Sequence, residues 1–114
     1  MITIYHNPKC RKSRAGLEYL KTKGVEFEIR EYIREGITIE ELRSMVDKLG
    51  IKPSELVRTQ EDYYKENYKG KTLSDDAWLE ALAAYPRLIR RPVIIKDNRA
   101  VLADPPERTD KLGI

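Results

Sequence analysis

The first thirty residues carry a strand–helix–strand pattern, which narrows the folds open to this chain more than any other feature. Ile2-Thr3-Ile4-Tyr5 is rich in β-formers and runs into the turn signal His6-Asn7-Pro8. Residues 11–23 then read as a helix. Leu17 and Leu20 lie three apart among basic residues, and Gly24 stands where a C-terminal cap belongs. Residues 25–30, Val-Glu-Phe-Glu-Ile-Arg, alternate with period two, as a half-buried strand does. Two strands joined through one helix make a βαβ unit, with parallel strands and a right-handed crossover.

The middle of the chain is helical. Thr38-Ile39-Glu40-Glu41 spells a capping box ahead of Leu42, Met45, Val46 and Leu49, and Gly50 closes the helix. Pro53 opens a short helix over residues 53–57. Tyr63, Tyr64 and Tyr68 sit in a polar stretch that reads as a weak helix over residues 60–68. Ser74-Asp75-Asp76 caps another helix through Trp78, Leu79 and Leu82, ended by Tyr85-Pro86. Strands then return: Val93-Ile94-Ile95 and Ala100-Val101-Leu102 flank Lys96-Asp97-Asn98-Arg99, a tight antiparallel hairpin. Asp104 is placed to cap a last helix with Pro105 at its first position. A βαβ unit followed by a ββα unit predicts an α/β fold with a four-stranded mixed sheet and helices packed on it. That is the thioredoxin-like architecture, here with residues 36–87 as a helical insertion in a single domain spanning residues 1–114.

Composition closes off several functions. A chain of 114 residues supports one modest core. No apolar run approaches the ~20 residues of a membrane span. The N-terminal residues lack the apolar stretch of an export signal, so a cytoplasmic location is expected. The net charge is +3, but acidic residues are interspersed among the basic ones, which argues against nucleic acid as a partner. Positive charge is concentrated only at residues 9–14 and 87–91. A single cysteine excludes an internal disulfide and a Cys-x-x-Cys pair, and with a single histidine beside it no metal site is expected. If Cys10 does redox work, its resolving thiol must come from another molecule.

Cys10 is the expected nucleophile. It falls in the loop that becomes the first helix, where unpaired N–H groups and the macrodipole favour an anion. Lys9, Arg11, Lys12 and Arg14 add cations, so the thiol pKa is expected below its free value of ~8.5. Ser13 can offer a hydroxyl or a helical N–H to the same place, and an oxyanion suits the same helix start. His6 is a candidate to polarise the loop, and Asn7 and Pro8 are turn formers. In folds of this architecture a proline placed as Pro92 is cis and faces the cysteine loop, which would bring Arg91 beside Cys10. Arg58 is a third candidate, since a guanidinium binds tetrahedral oxyanions in a bidentate manner.

The segment Ile4-Tyr5-His6-Asn7-Pro8-Lys9-Cys10-Arg11-Lys12-Ser13-Arg14 resembles the active-site loop of the glutaredoxin-coupled arsenate reductase family. Glu55-Leu56-Val57-Arg58, Leu88-Ile89-Arg90-Arg91-Pro92-Val93 and Val101-Leu102-Ala103-Asp104-Pro105-Pro106-Glu107 are similar to later family segments, in order along the chain. The resemblance implies that Cys10 attacks arsenate, that no cofactor is bound, that glutathione acts as co-substrate, and that glutaredoxin completes reduction to arsenite. Arg58 and Arg91 would hold the oxyanion, with Ser13 and the helix N-terminus assisting; Arg11, Arg14 and His6 complete the candidate substrate-binding residues. Family members generally carry a third arginine where this chain has Asp104. Two alternatives follow: a glutathione-dependent oxidoreductase of the same family that does not use arsenate, and a regulatory binding protein like the related Spx-type regulators. The latter usually carry Cys-x-x-Cys at this loop, where this chain has Ser13.

Overall fold

A computed structural model describes all 114 residues. They fall into two compact units, one made of Met1–Glu35 with Arg91–Ile114 and the other of Gly36–Arg90.

The first unit holds the sheet. Strands β1 (Ile2–Tyr5), β2 (Glu28–Arg30), β3 (Val93–Lys96) and β4 (Arg99–Leu102) lie in the order β2-β1-β3-β4. β1 pairs with β2 in parallel, joined through helix α1 (Arg11–Lys21), and pairs with β3 antiparallel; β3 and β4 form the hairpin. Asp97 takes the left-handed φ of 55° that the tight turn needs. The register sets Ile29, Ile4, Ile94 and Val101 side by side across the sheet. Neighbouring residues in register share a face, so this row forms an apolar stripe. Ile2, Ile4 and Ile94 pack with Leu20 of α1, Ala103 and Leu112 into one buried cluster. Tyr19 Oη donates to Asp110 at 2.8 Å and Lys23 pairs with the same carboxylate, tying α1 to the C-terminal turn.

Three sequence expectations change here. The second strand is only three residues long, and Ile29 is 45% exposed rather than buried. β2 is an edge strand with a single partner; Val25 and Phe27 pack on the core from the approach to it. A short helix, α2 (Tyr32–Glu35), follows immediately, and its Tyr32 is fully buried beside the Tyr5 ring. The last helix is a 3-10 helix, Pro106–Leu112, that begins at the second proline of the pair. Pro105 is therefore the residue that flanks it, and Asp104 does not cap it.

The second unit is helical. α3 (Ile39–Leu49) has the capping box intact: Thr38 Oγ1 accepts from Glu41 N at 3.1 Å and Glu41 Oε1 accepts from Thr38 N at 3.2 Å. Gly50 closes the helix in the left-handed conformation, φ 70°. A 3-10 turn (Pro53–Leu56), α4 (Asp62–Asn67), α5 (Asp75–Ala84) and a second 3-10 turn (Pro86–Leu88) follow. Leu42 and Met45 of α3, Leu79 and Leu82 of α5, and Leu56 and Leu88 from the 3-10 turns are all buried. α4 buries no residue; its Tyr63 stacks on Tyr85 at 4.0 Å and its Tyr64 stacks near Trp78. A bridge between Val57 and Ile89 joins the two turn segments, with Arg58 N donating to Leu88 O and Arg90 N to Leu56 O.

Candidate functional site

Cys10 is the N-cap of α1, with extended backbone angles (φ −97°, ψ 124°) and no side-chain cap bond. Its carbonyl accepts from Arg14 N at 3.0 Å, and its own N–H donates to Asn7 O at 3.0 Å, so the loop is closed from both sides. The sulfur is left facing the free N–H groups of the first turn.

Burial raises the Cys10 pKa, but hydrogen bonds from the Ser13 N–H and the Arg91 side chain, the Arg91 charge and the Lys12 N–H bring it below the usual thiol value. The helix N–H groups contribute as expected, but the leading charge is Arg91 and not one of the loop cations. Helical N–H groups and one arginine from the far end of the chain act directly on the sulfur. Of the loop cations, Arg14 donates to Pro8 O at 2.9 Å and Lys12 forms an ion pair with Asp104 at 3.1 Å.

Ser13 is fully buried. Its Oγ accepts from Asn7 N at 2.9 Å and lies 2.7 Å from His6 Nδ1. The hydroxyl thus belongs to the loop's internal framework, and of the two groups that Ser13 could offer it is the backbone N–H that faces the thiol. His6 is 5% exposed, and its backbone N–H donates to Arg30 O at 2.9 Å. Burial lowers the His6 pKa against the opposing charge of Glu31. A neutral imidazole whose Nδ1 accepts the Ser13 O–H proton satisfies this arrangement. His6 therefore holds Ser13, and Ser13 holds the loop.

Arg91 is 9% exposed and precedes Pro92 across a cis bond. Pro92 packs directly on α1: a Cβ added to Gly16 would lie 2.5 Å from Pro92 Cγ and 3.6 Å from Ala103 Cβ. Only glycine lets the helix approach this closely, and nothing in the helical periodicity of residues 11–23 marks Gly16 for that role. Pro92 O also accepts from Ala103 N at 2.9 Å, which secures the segment to the end of β4. Of the residues singled out from sequence, Cys10, His6, Ser13, Arg14 and Arg91 thus come together in the sheet unit. Arg58 belongs to the helical unit, where its guanidinium donates to Glu61 at 2.7 Å. Arg11 is exposed and, with His6, Pro8, Arg14, Leu17 and Glu18, borders an open groove of about 480 Å³ beside the loop.

Comparison with known proteins bears on this geometry. The sequence pattern of the ArsC family matches residues 5–112. The chain belongs to the ArsC family. It is 38% identical over 109 residues to the uncharacterized protein YfgD of Escherichia coli, covering 94% of this chain and 92% of that one. It is 34% identical over 111 residues to an arsenate reductase of Neisseria meningitidis, covering 96% and 95%. Among solved structures, an arsenate reductase from Vibrio cholerae superposes with a TM-score of 0.91 at 37% identity, over 96% of this chain and 95% of that one. The fold of this ArsC-family chain is accordingly the α/β, thioredoxin-like one that its element order predicts. No helix is long and apolar enough to cross a membrane.

Proposed function

We propose that this chain is an arsenate-reductase-like thiol oxidoreductase in which Cys10 is the nucleophile and the remaining thiols are supplied from outside. The observation that carries the reading is the Cys10 sulfur at the first turn of α1, with Ser13 and Lys12 N–H groups and the Arg91 guanidinium turned toward it. Those donors stabilise the thiolate, and the same donors suit an oxyanion that the thiolate attacks. Membership of the ArsC family and the likeness to arsenate reductases of Neisseria meningitidis and Vibrio cholerae support arsenate as the oxyanion.

In this scheme the Cys10 thiolate attacks arsenic and a water leaves, giving a Cys10–S–As(V) adduct. A glutathione thiol displaces a second water and forms a second S–As bond. A glutaredoxin thiolate then attacks the glutathione sulfur; the S–As electron pair stays on arsenic, which becomes As(III), and a glutaredoxin–glutathione disulfide departs. Hydrolysis of the remaining S–As bond returns the Cys10 thiol and arsenite. One cysteine in the chain suits a route in which both reducing thiols are external. The groove bordered by Arg11, Arg14 and Glu18 lies in the size range of small-ligand sites and has both signs of charge for a zwitterionic peptide thiol. A cytoplasmic setting would provide the reduced thiols.

The ion pair between Lys12 and Asp104 favours a second reading, a glutathione-dependent oxidoreductase acting on a less charged substrate, because it removes one cation from the nucleophile's surroundings. Arsenate turnover with glutathione, glutaredoxin and a coupled reductase decides between them. Turnover by the wild type, abolished in Cys10→Ser and strongly reduced in Arg91→Ala, is the expected result. Absence of wild-type turnover, with retained reduction of glutathione mixed disulfides, would replace arsenate by the second reading.

A further inference from the structure

Asp104 sits on the segment that connects both groups flanking Cys10. Its neighbour Ala103 packs against α1 at Gly16 and donates its N–H to Pro92 O at 2.9 Å, next to Arg91. The Asp104 carboxylate is thereby held at the first turn of α1, where it meets Lys12 Nζ at 3.1 Å. Lys12 has two ends with different duties. Its peptide N–H faces the Cys10 sulfur, while its ammonium is turned to Asp104. The pair is only partly exposed on the carboxylate side, 38% against 59% for the lysine, so the carboxylate's field is not fully screened by water.

We infer that Asp104 is a specificity-determining residue: by neutralising Lys12 it lowers the positive charge around Cys10 and biases the thiolate toward neutral reactants over anions, the more so the higher the anion's charge. The inference rests on Cys10 as the nucleophile of the proposed function, but not on arsenate being the substrate. Asp104 touches no reacting atom in this scheme and acts through Lys12.

Alkylation of the intact protein isolates this effect. The Cys10 thiolate displaces iodide from iodoacetamide, which is neutral, or from iodoacetate, which is an anion, with formation of one C–S bond in each case. A change in Cys10 pKa alters both rates alike, so the ratio of iodoacetate to iodoacetamide rates reports the local charge alone. At low salt, Asp104→Asn is expected to raise that ratio about threefold, Asp104→Glu to keep it, and Lys12→Gln to lower it. High salt should draw the variants together. An unchanged ratio in Asp104→Asn with normal iodoacetamide reactivity would overturn the role of Asp104 and leave the proposed function standing. Failure of both reagents to modify wild-type Cys10 would remove the nucleophile, and both conclusions with it.

Discussion

The thiol of Cys10 is under opposed influences: burial favours the neutral form, whereas the Ser13 and Lys12 N–H groups and Arg91 favour the anion and prevail. The rate of alkylation by iodoacetamide should therefore show its inflection below the ~8.5 of a free cysteine, and Arg91→Ala should move it upward. A thiol whose folded pKa is depressed stabilises the fold fully above its unfolded pKa, and that stabilisation is lost as pH falls through the folded value. The difference in melting temperature between wild type and Cys10→Ser should accordingly widen with pH up to about pH 8.5. His6 works in the same sense at lower pH, since burial lowers its pKa. Below about pH 6.5 the unfolded chain takes up the proton first, so stability falls as pH falls through the folded value. Thermal melts at pH 7 and pH 5 should show a larger loss for wild type than for His6→Asn; equal losses would contradict a buried neutral imidazole. The position of Cys10 at the start of α1 is legible because the turn signal between a strand and a helix is local. The Ser13 hydroxyl and the Lys12–Asp104 pair are not, because one depends on loop closure and the other on a contact between distant parts of the chain.

Among the elements, local sequence codes predict the structure where local bonds decide the outcome. The Thr38–Glu41 box, Gly50 and the Ser74 cap all stand where their residue types predict, since each is completed within a few residues. Strand β2 is shorter than its sequence predicts because period-two alternation records which side chains can be buried, and the number of ladder partners is settled by the rest of the sheet. The C-terminal helix starts one residue later than predicted because two consecutive prolines offer two positions for it. Gly16 shows the limit most clearly. In an exposed helix interior, alanine in place of glycine gains up to about 1 kcal/mol of helix stability. Here the new Cβ would meet the rigid Pro92 ring at 2.5 Å. Gly16→Ala is expected to destabilise the chain by about 1–3 kcal/mol in chemical denaturation, as overpacking does. It should also slow Cys10 alkylation, because displacing Pro92 displaces Arg91. An increase in stability would show that α1 can shift away from Pro92 without cost.

At the scale of the whole molecule, the boundary between the two compact units falls between Arg90 and Arg91, so the guanidinium that serves Cys10 is anchored on the sheet side by Pro92. Each unit has roughly 55–60 residues. Pieces of that size bury only about 60% of the surface their unfolded chains expose and are marginal on their own. The helical unit is also interrupted by α4, which buries no side chain and is attached through tyrosine rings. Neither unit is therefore expected to persist once the other unfolds, and the chain should behave as one cooperative domain. Two probes report on the units separately. Trp78, the single tryptophan, is buried in the helical unit, and Cys10 lies in the sheet unit. Denaturation followed by Trp78 fluorescence and by Cys10 accessibility to a thiol reagent should give the same midpoint. Leu82→Ala in the helical unit should shift both midpoints together, at a cost of about 2–5 kcal/mol for a fully buried leucine. A Trp78 transition that moves while the Cys10 transition stays would mean that the helical insertion melts independently, leaving Arg91 and Cys10 in place on a sheet that holds without it.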